Sequence, residues 1–155
     1  MTQSLFNKLA SISAVFVVMS VSSASAAGVE KLHLIEHATS DQTAHIGTKP
    51  DNRGDVLTFA NDVFDAANKT KVGGDQGFCI RITAGKAYEC LWTLTLAAGQ
   101  ITVEGPFLDA GDSVLAVTGG TGKYADVRGQ MTLHSRDAKG SEYDFNYTLQ
   151  HAVVH

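Results

Sequence analysis

The sequence predicts an all-β protein, an eight-stranded antiparallel barrel over residues 27–155. Three observations predict it. Apolar and polar residues alternate with period two along most of the chain, helical periodicity is nearly absent, and Gly and Asp interrupt the alternation at short intervals. Short connections favour antiparallel neighbours, and strands in that number close into a ring that leaves no edge exposed. Such a barrel is filled by side chains or holds one small ligand. The structural alternative is a sandwich of two sheets.

Residues 1–26 precede the barrel and read as a secretory signal peptide. Lys8 is the only charge before the apolar run Leu9–Val21, and Ala24-Ser25-Ala26 is a cleavage site that leaves Ala27 first. The run has 13 residues, against ~20 for a membrane-spanning helix. The expected destination is periplasmic or secreted, with no membrane span in the mature chain.

The first strand is expected at 31–38, where Leu32, Leu34 and Glu36 share a face. Residues 39–53 are polar, contain Gly47 and Pro50, and read as one long loop of the kind that forms lids or binding loops. Strand 54–64 follows, with Leu57, Phe59, Asn61 and Val63 on one side, then strand 76–83. Strand 87–97 turns Cys90, Trp92, Leu94 and Leu96 one way, and strand 100–107 does the same with Ile101, Val103 and Phe107. Strand 113–118 is short. In 124–135, Ala125, Val127, Met131 and Leu133 oppose Tyr124, Asp126, Arg128 and Gln130. The clearest alternation is 142–151, where Tyr143, Phe145, Tyr147 and Leu149 oppose Glu142, Asp144, Asn146, Thr148 and Gln150.

Composition narrows function. The chain is 44% hydrophobic and 18% charged, as globular proteins are. Its net charge of −4 becomes −5 when Lys8 leaves, and no block of like charge stands out. No nucleic-acid partner and no anionic-membrane partner are therefore expected. Two cysteines are too few for a disulfide-dense miniprotein or a four-cysteine zinc site. The histidines form no metal motif: His33 and His37 lie four apart, which on a strand is ~13 Å. No metal site is predicted. Gly119-Gly120-Thr121-Gly122-Lys123 lacks phosphate-loop spacing and reads as a tight turn. Arg53-Gly54-Asp55 is one tripeptide at a loop–strand junction and is read as chance.

Cys79 and Cys90 flank the turn Thr83-Ala84-Gly85-Lys86. A hairpin that pairs Ile82 with Ala87 also sets Cys79 opposite Cys90, at a Cα spacing of ~4.5–5.5 Å that a disulfide spans. In an oxidising compartment this predicts a bridge. The competing reading is a free thiol lining a cavity. Two polar residues share dry faces, Glu36 and Asn61. A buried carboxyl must be paired, hydrogen-bonded or raised in pKa, and a buried amide needs partners. One interior would thus gather Glu36, Asn61, the cysteines, Phe59, Trp92 and Phe107, which is the composition of a small-molecule site.

Residues 54–82 and 101–133 resemble the allene oxide cyclase family and, more distantly, the dirigent proteins. The resemblance rests on Phe59-Ala60-Asn61, on the V-G-x-x-x-G-x-C segment Val72–Cys79, on Glu104-Gly105-Pro106-Phe107, and on Asp112-Ser113-Val114-Leu115-Ala116-Val117-Thr118-Gly119-Gly120, in that order. It implies an eight-stranded antiparallel barrel with a greasy cavity, no metal or organic cofactor, and a cyclisation steered by the cavity wall. By position, the family's inward glutamate matches Glu36, its asparagine Asn61, and its cavity cysteine Cys79. Two features differ. The family's E-x-N reads Glu36-His37-Ala38, and the tyrosine of its G-P-Y segment is Phe107. Relatives associate as dimers or trimers, and Phe78, Ile80 and Ile82, opposite Cys79, offer a contact patch.

The expected function is binding of a hydrophobic small molecule and an isomerisation or ring closure within it. Glu36 and Asn61 are the expected catalytic pair, with Phe59, Trp92, Phe107 and Cys79 as ligand-binding residues. The alternatives are a non-catalytic carrier with the same cavity and a structural barrel with none.

Overall fold

The computed structural model describes residues 28–152, so the expected signal peptide lies outside the described residues. Nine strands follow in order: β1 (Val29–His37), β2 (Gln42–Ala44), β3 (Val56–Phe64), β4 (Lys71–Thr83), β5 (Ala87–Leu96), β6 (Gly99–Leu108), β7 (Ser113–Gly120), β8 (Val127–Ser135) and β9 (Glu142–His151). Each strand from β3 to β9 pairs antiparallel with the next, β9 pairs with β1, and β1 pairs with β3. The ring is closed, and the sandwich alternative is excluded.

The closure is made by a broken strand. The end of β1 sets Ile35, Glu36 and His37 against Phe64, Val63 and Asp62 of β3. Further along the same edge, Gln42, Thr43 and Ala44 of β2 lie against Thr58, Leu57 and Val56. Residues 38–41 form a corner between the two segments. The barrel is thus eight-stranded, with β2 as a second tread on the closing edge. The expected loop 39–53 therefore carries a short strand, which three exposed residues could not announce by burial pattern.

Two boundaries differ for identifiable reasons. β4 begins at Lys71 rather than 76, through a run of glycines that reads as a turn in the sequence. Those glycines mark close backbone approach. A Cβ on Gly77 would stand 2.3 Å from Trp92 Cβ, and one on Gly73 would stand 2.2 Å from the Thr95 carbonyl. At the other boundary, residues 124–126 are not strand. Tyr124 ends a 3₁₀ turn, Gly122–Tyr124, and is buried, while Ala125 is exposed. This reverses the expected facing of the pair, because the side chain that caps the core enters from the turn and not from the strand.

The β4–β5 hairpin has the expected register, with Cys79 opposite Cys90 and Arg81 opposite Tyr88. A bulge then shifts it, so that Ala87 faces Thr83 and not Ile82. Cys79 and Cys90 are disulfide-bonded, with Cα atoms 4.0 Å apart. The free-thiol reading is thereby excluded for this state. The core is one cluster of inward side chains, among them Val63, Leu94, Ile101, Val103, Met131 and Leu149, all fully buried. Phe78, Ile80 and Ile82 face outward and are exposed. Among the described residues no helix is long and apolar enough to cross a membrane.

Candidate functional site in the barrel lumen

The polar end of the lumen is organised by Asn61. It sits on the inward face of β3 and is 3% exposed. Its Oδ1 accepts hydrogen bonds from the Thr39 and Ser40 amides at 3.0 and 2.9 Å and from Ser40 Oγ at 2.9 Å. These bonds hold the corner between β1 and β2. Its Nδ2 donates to Glu36 Oε1 at 2.8 Å and to Asp41 Oδ1 at 2.9 Å. Both amide protons are engaged, and Asn61 does not line the cavity.

Glu36 does line it, on a strand that turns its side chain inward and leaves it 5% exposed. On the neighbouring strand β4, Asp75 pairs with Asn61, whose backbone N–H donates to Asp75 Oδ1 at 3.3 Å. Asp75 is 4% exposed, and its Oδ2 has no donor. Glu36 and Asp75 are both buried beside Asn61 and feel each other's charge. Burial, then the neighbouring Asp75 and Asp41 charges, push the Glu36 carboxyl well above its ordinary range. Burial pushes Asp75 up to about 7, while the contact with Glu36 works against that rise. The two acids thus raise each other's cost of ionisation, and Asp75 Oδ2 is left without a donor.

The rest of the wall is aromatic. Phe59 meets Trp92 edge-on at 5.9 Å, Trp92 meets Phe145 at 5.8 Å, and Phe107 meets Tyr143 edge-on at 5.8 Å. Leu57, Leu133, Asp41 and Cys79 complete it. The enclosed cavity is small, ≈ 30 Å³, and opens to solvent at its mouth. Phe107, Leu133 and Tyr143 also border a wider outer hollow, lined further by Arg81, Tyr88, Asp109 and Lys139. The hollow and the lumen lie on either side of Phe107, Leu133 and Tyr143. Arg81 is fixed there by Asp51 and Asp109, with its guanidinium carbon 3.6 Å from the centre of the Tyr88 ring.

Phe59, Trp92, Phe107 and Cys79, singled out from sequence, all border the cavity together with Glu36. Sequence reasoning passed over Asp75, Asp41, Tyr143 and Tyr147. Asp75 shares the parity of Cys79, so extending that strand backward through the glycines would have turned it inward. The two tyrosines stood on the driest strand face, where each phenol oxygen is itself a signal. Asp41 has no such mark. The Asp55 of the Arg-Gly-Asp string is fully buried. It accepts hydrogen bonds from His45 Nδ1 and from the Ile46 and Asn52 amides, so it folds the loop and presents nothing to a partner. These bonds hold its carboxyl well below the usual range, against the opposing effect of burial.

Fold and site together define an antiparallel barrel with a small aromatic lumen and an acidic floor. The sequence pattern of the family described as allene oxide cyclase matches residues 27–137, and the chain belongs to that family. Solved structures of the same architecture include a pyocyanin demethylase, 24% identical with a TM-score of 0.66 over 77% of this chain and 100% of that one. A pterocarpan synthase dirigent protein is 14% identical, with a TM-score of 0.70 over 86% and 91% of the two chains. The Diels–Alderase AbmU from Streptomyces koyangensis is 16% identical, with a TM-score of 0.66 over 82% and 70%. At these identities the likeness is one of fold.

Proposed function

We propose that this protein is exported, that its lumen binds a hydrophobic small molecule, and that it steers an isomerisation or ring closure in that molecule. Glu36 exchanges a proton with the bound molecule, and Asn61 positions Glu36 for it. The observation that carries this reading is a buried carboxyl on the wall of an aromatic cavity, where its surroundings disfavour the charged form. A neutral carboxylic acid donates a proton to an electron-rich atom, and the Asn61 amide, which donates to Glu36 Oε1, stabilises the carboxylate left behind. Ring faces favour positive charge as it develops, and the tight wall limits the conformations a reacting chain can adopt. The disulfide supports an oxidising destination. The exposed Phe78, Ile80 and Ile82 offer the surface for self-association.

Trp92 is the only tryptophan and borders the cavity, so its fluorescence reports occupancy. Hydrophobic compounds found by this signal are incubated with the protein and with Glu36→Gln, and the mixtures are separated. A product formed by the native protein and not by Glu36→Gln supports the reading. Equal turnover by both removes Glu36 from the chemistry, and recovery of every bound compound unchanged makes the protein a carrier.

A further inference from the structure

The outer hollow is built on one cross-strand row. Arg81, Tyr88 and Phe107 follow one another from β4 through β5 to β6. The Tyr88 and Phe107 rings lie 6.3 Å apart and are inclined by only 20°, so they form one aromatic surface. Arg81 is 8% exposed, covers Tyr88, and is tied to Asp51 and Asp109. The other rim is the turn between β8 and β9. Asp137 fixes it by accepting from the Lys139 amide at 2.7 Å and the Ser141 amide at 3.2 Å. The hollow between row and turn measures ≈ 480 Å³. Small-molecule sites span about 300–1,000 Å³. The ≈ 30 Å³ of the lumen holds about one or two water molecules.

The charges around the hollow are matched. Arg81 and Lys139 face Asp109 and Asp137, with Asp51 behind Arg81. An anion therefore meets no positive excess. The acids that would receive a cation are already held by Arg81 or by their own turn. The Tyr143 hydroxyl is different. Burial, then the charges of Glu36, Asp41 and Asp137, raise its phenol to about 12, and no hydrogen bond contributes. It remains a donor at neutral pH. Gly140 clears the space beside it, since a Cβ there would stand 2.5 Å from the hydroxyl oxygen.

We propose that the outer hollow binds an uncharged, flat ring compound, which lies against Tyr88 and Phe107 and accepts a hydrogen bond from the Tyr143 hydroxyl through a carbonyl or ether oxygen. This site is separate from the lumen and does not depend on the chemistry proposed there. Arg81 is a positioning residue, because it holds the Tyr88 ring from the side.

The test is an NMR titration with 1-indanone and with indane, the same ring system without the oxygen, following the ring resonances of Tyr88, Phe107 and Trp92. Both compounds should move Tyr88 and Phe107 and leave Trp92, which borders only the lumen, in place. Tyr143→Phe should weaken 1-indanone about fivefold and change indane by less than about twofold. Equal effects on the two compounds would show that the hydroxyl makes no bond to the ligand and would overturn the inference. Ala138→Trp places bulk on the rim of the hollow, away from the lumen, and should abolish binding of both. Binding that survives Ala138→Trp and moves Trp92 would overturn the hollow as the site and leave the lumen reading standing. Indane-2-carboxylate and 2-aminoindane hydrochloride should bind less tightly than 1-indanone, and tighter binding of either contradicts an uncharged ligand. No shift with 1-indanone contradicts the site, whatever Trp92 fluorescence reports of the lumen.

Discussion

Asn61 Nδ2 reaches Glu36 Oε1 at 2.8 Å while its Oδ1 holds the corner that joins β1 to β2. One side chain therefore closes the barrel and aims its acid. The sequence places the two residues 25 positions apart, and the closing pairs Glu36–Val63 and His37–Asp62 bring them together.

Removing that amide should cost both stability and site geometry. Asn61→Ala leaves the Thr39 and Ser40 amides and the Glu36 and Asp41 oxygens without a partner. A loss of about 2–4 kcal/mol is expected from a buried network of this kind. Urea denaturation measures it, and a change below about 0.5 kcal/mol would show that the corner holds itself.

Stability should depend on pH in two opposite ways. Asp75 and Glu36 are raised, so the folded protein binds more protons than the unfolded chain above their ordinary range. Their contribution falls as the pH rises from about 4 through about 7. Asp55 is held low, so its contribution is present above its ordinary 3.8 and is lost as the pH falls below that. Melting temperatures should therefore peak in mildly acid buffer, and Asp75→Asn should shift the optimum upward. A native profile that climbs steadily to pH 8 would contradict the raised acids.

Native protein should present no free thiol from Cys79 or Cys90, and dithiothreitol should release both. The bridge closes a short loop, with a sequence separation of 11. The double variant Cys79→Ser, Cys90→Ser is expected to lose roughly 2–3 kcal/mol. Thiol titration before and after reduction, followed by urea denaturation of the variant, checks each point.

Asp55→Asn should loosen the loop without opening the barrel. His45 and the Ile46 and Asn52 amides lose their charged acceptor. Trypsin should then cut after Arg53 several times faster than in the native protein, with the far-ultraviolet spectrum unchanged. Equal cleavage rates would mean that the loop is held by other contacts.

The alternation in 142–151 and the spacing of Cys79 and Cys90 were enough to read the barrel and its staple, because both depend on local parity. Glu36 stood out for the same reason, as an acid on a dry face. Asp75 did not. Its strand starts in a glycine run whose purpose, letting Trp92 and Thr95 approach the backbone, exists only once β5 is in place. Asp41 and β2 were hidden for a related reason. Their positions are set by Asn61 and by the edge of β3, contacts that no local pattern encodes. Tyr124 shows the limit of parity itself, since a single 3₁₀ turn exchanges the inward and outward sides.

The decisive quantity is the protonation of Glu36, read from its side-chain carboxyl carbon by ¹³C NMR, with Glu36→Gln giving the assignment. The resonance should keep its protonated position well above the pH at which an ordinary glutamate ionises. A midpoint near 4.5, the ordinary value for a glutamate, would mean an open, charged carboxylate and would contradict the acid proposed for the lumen.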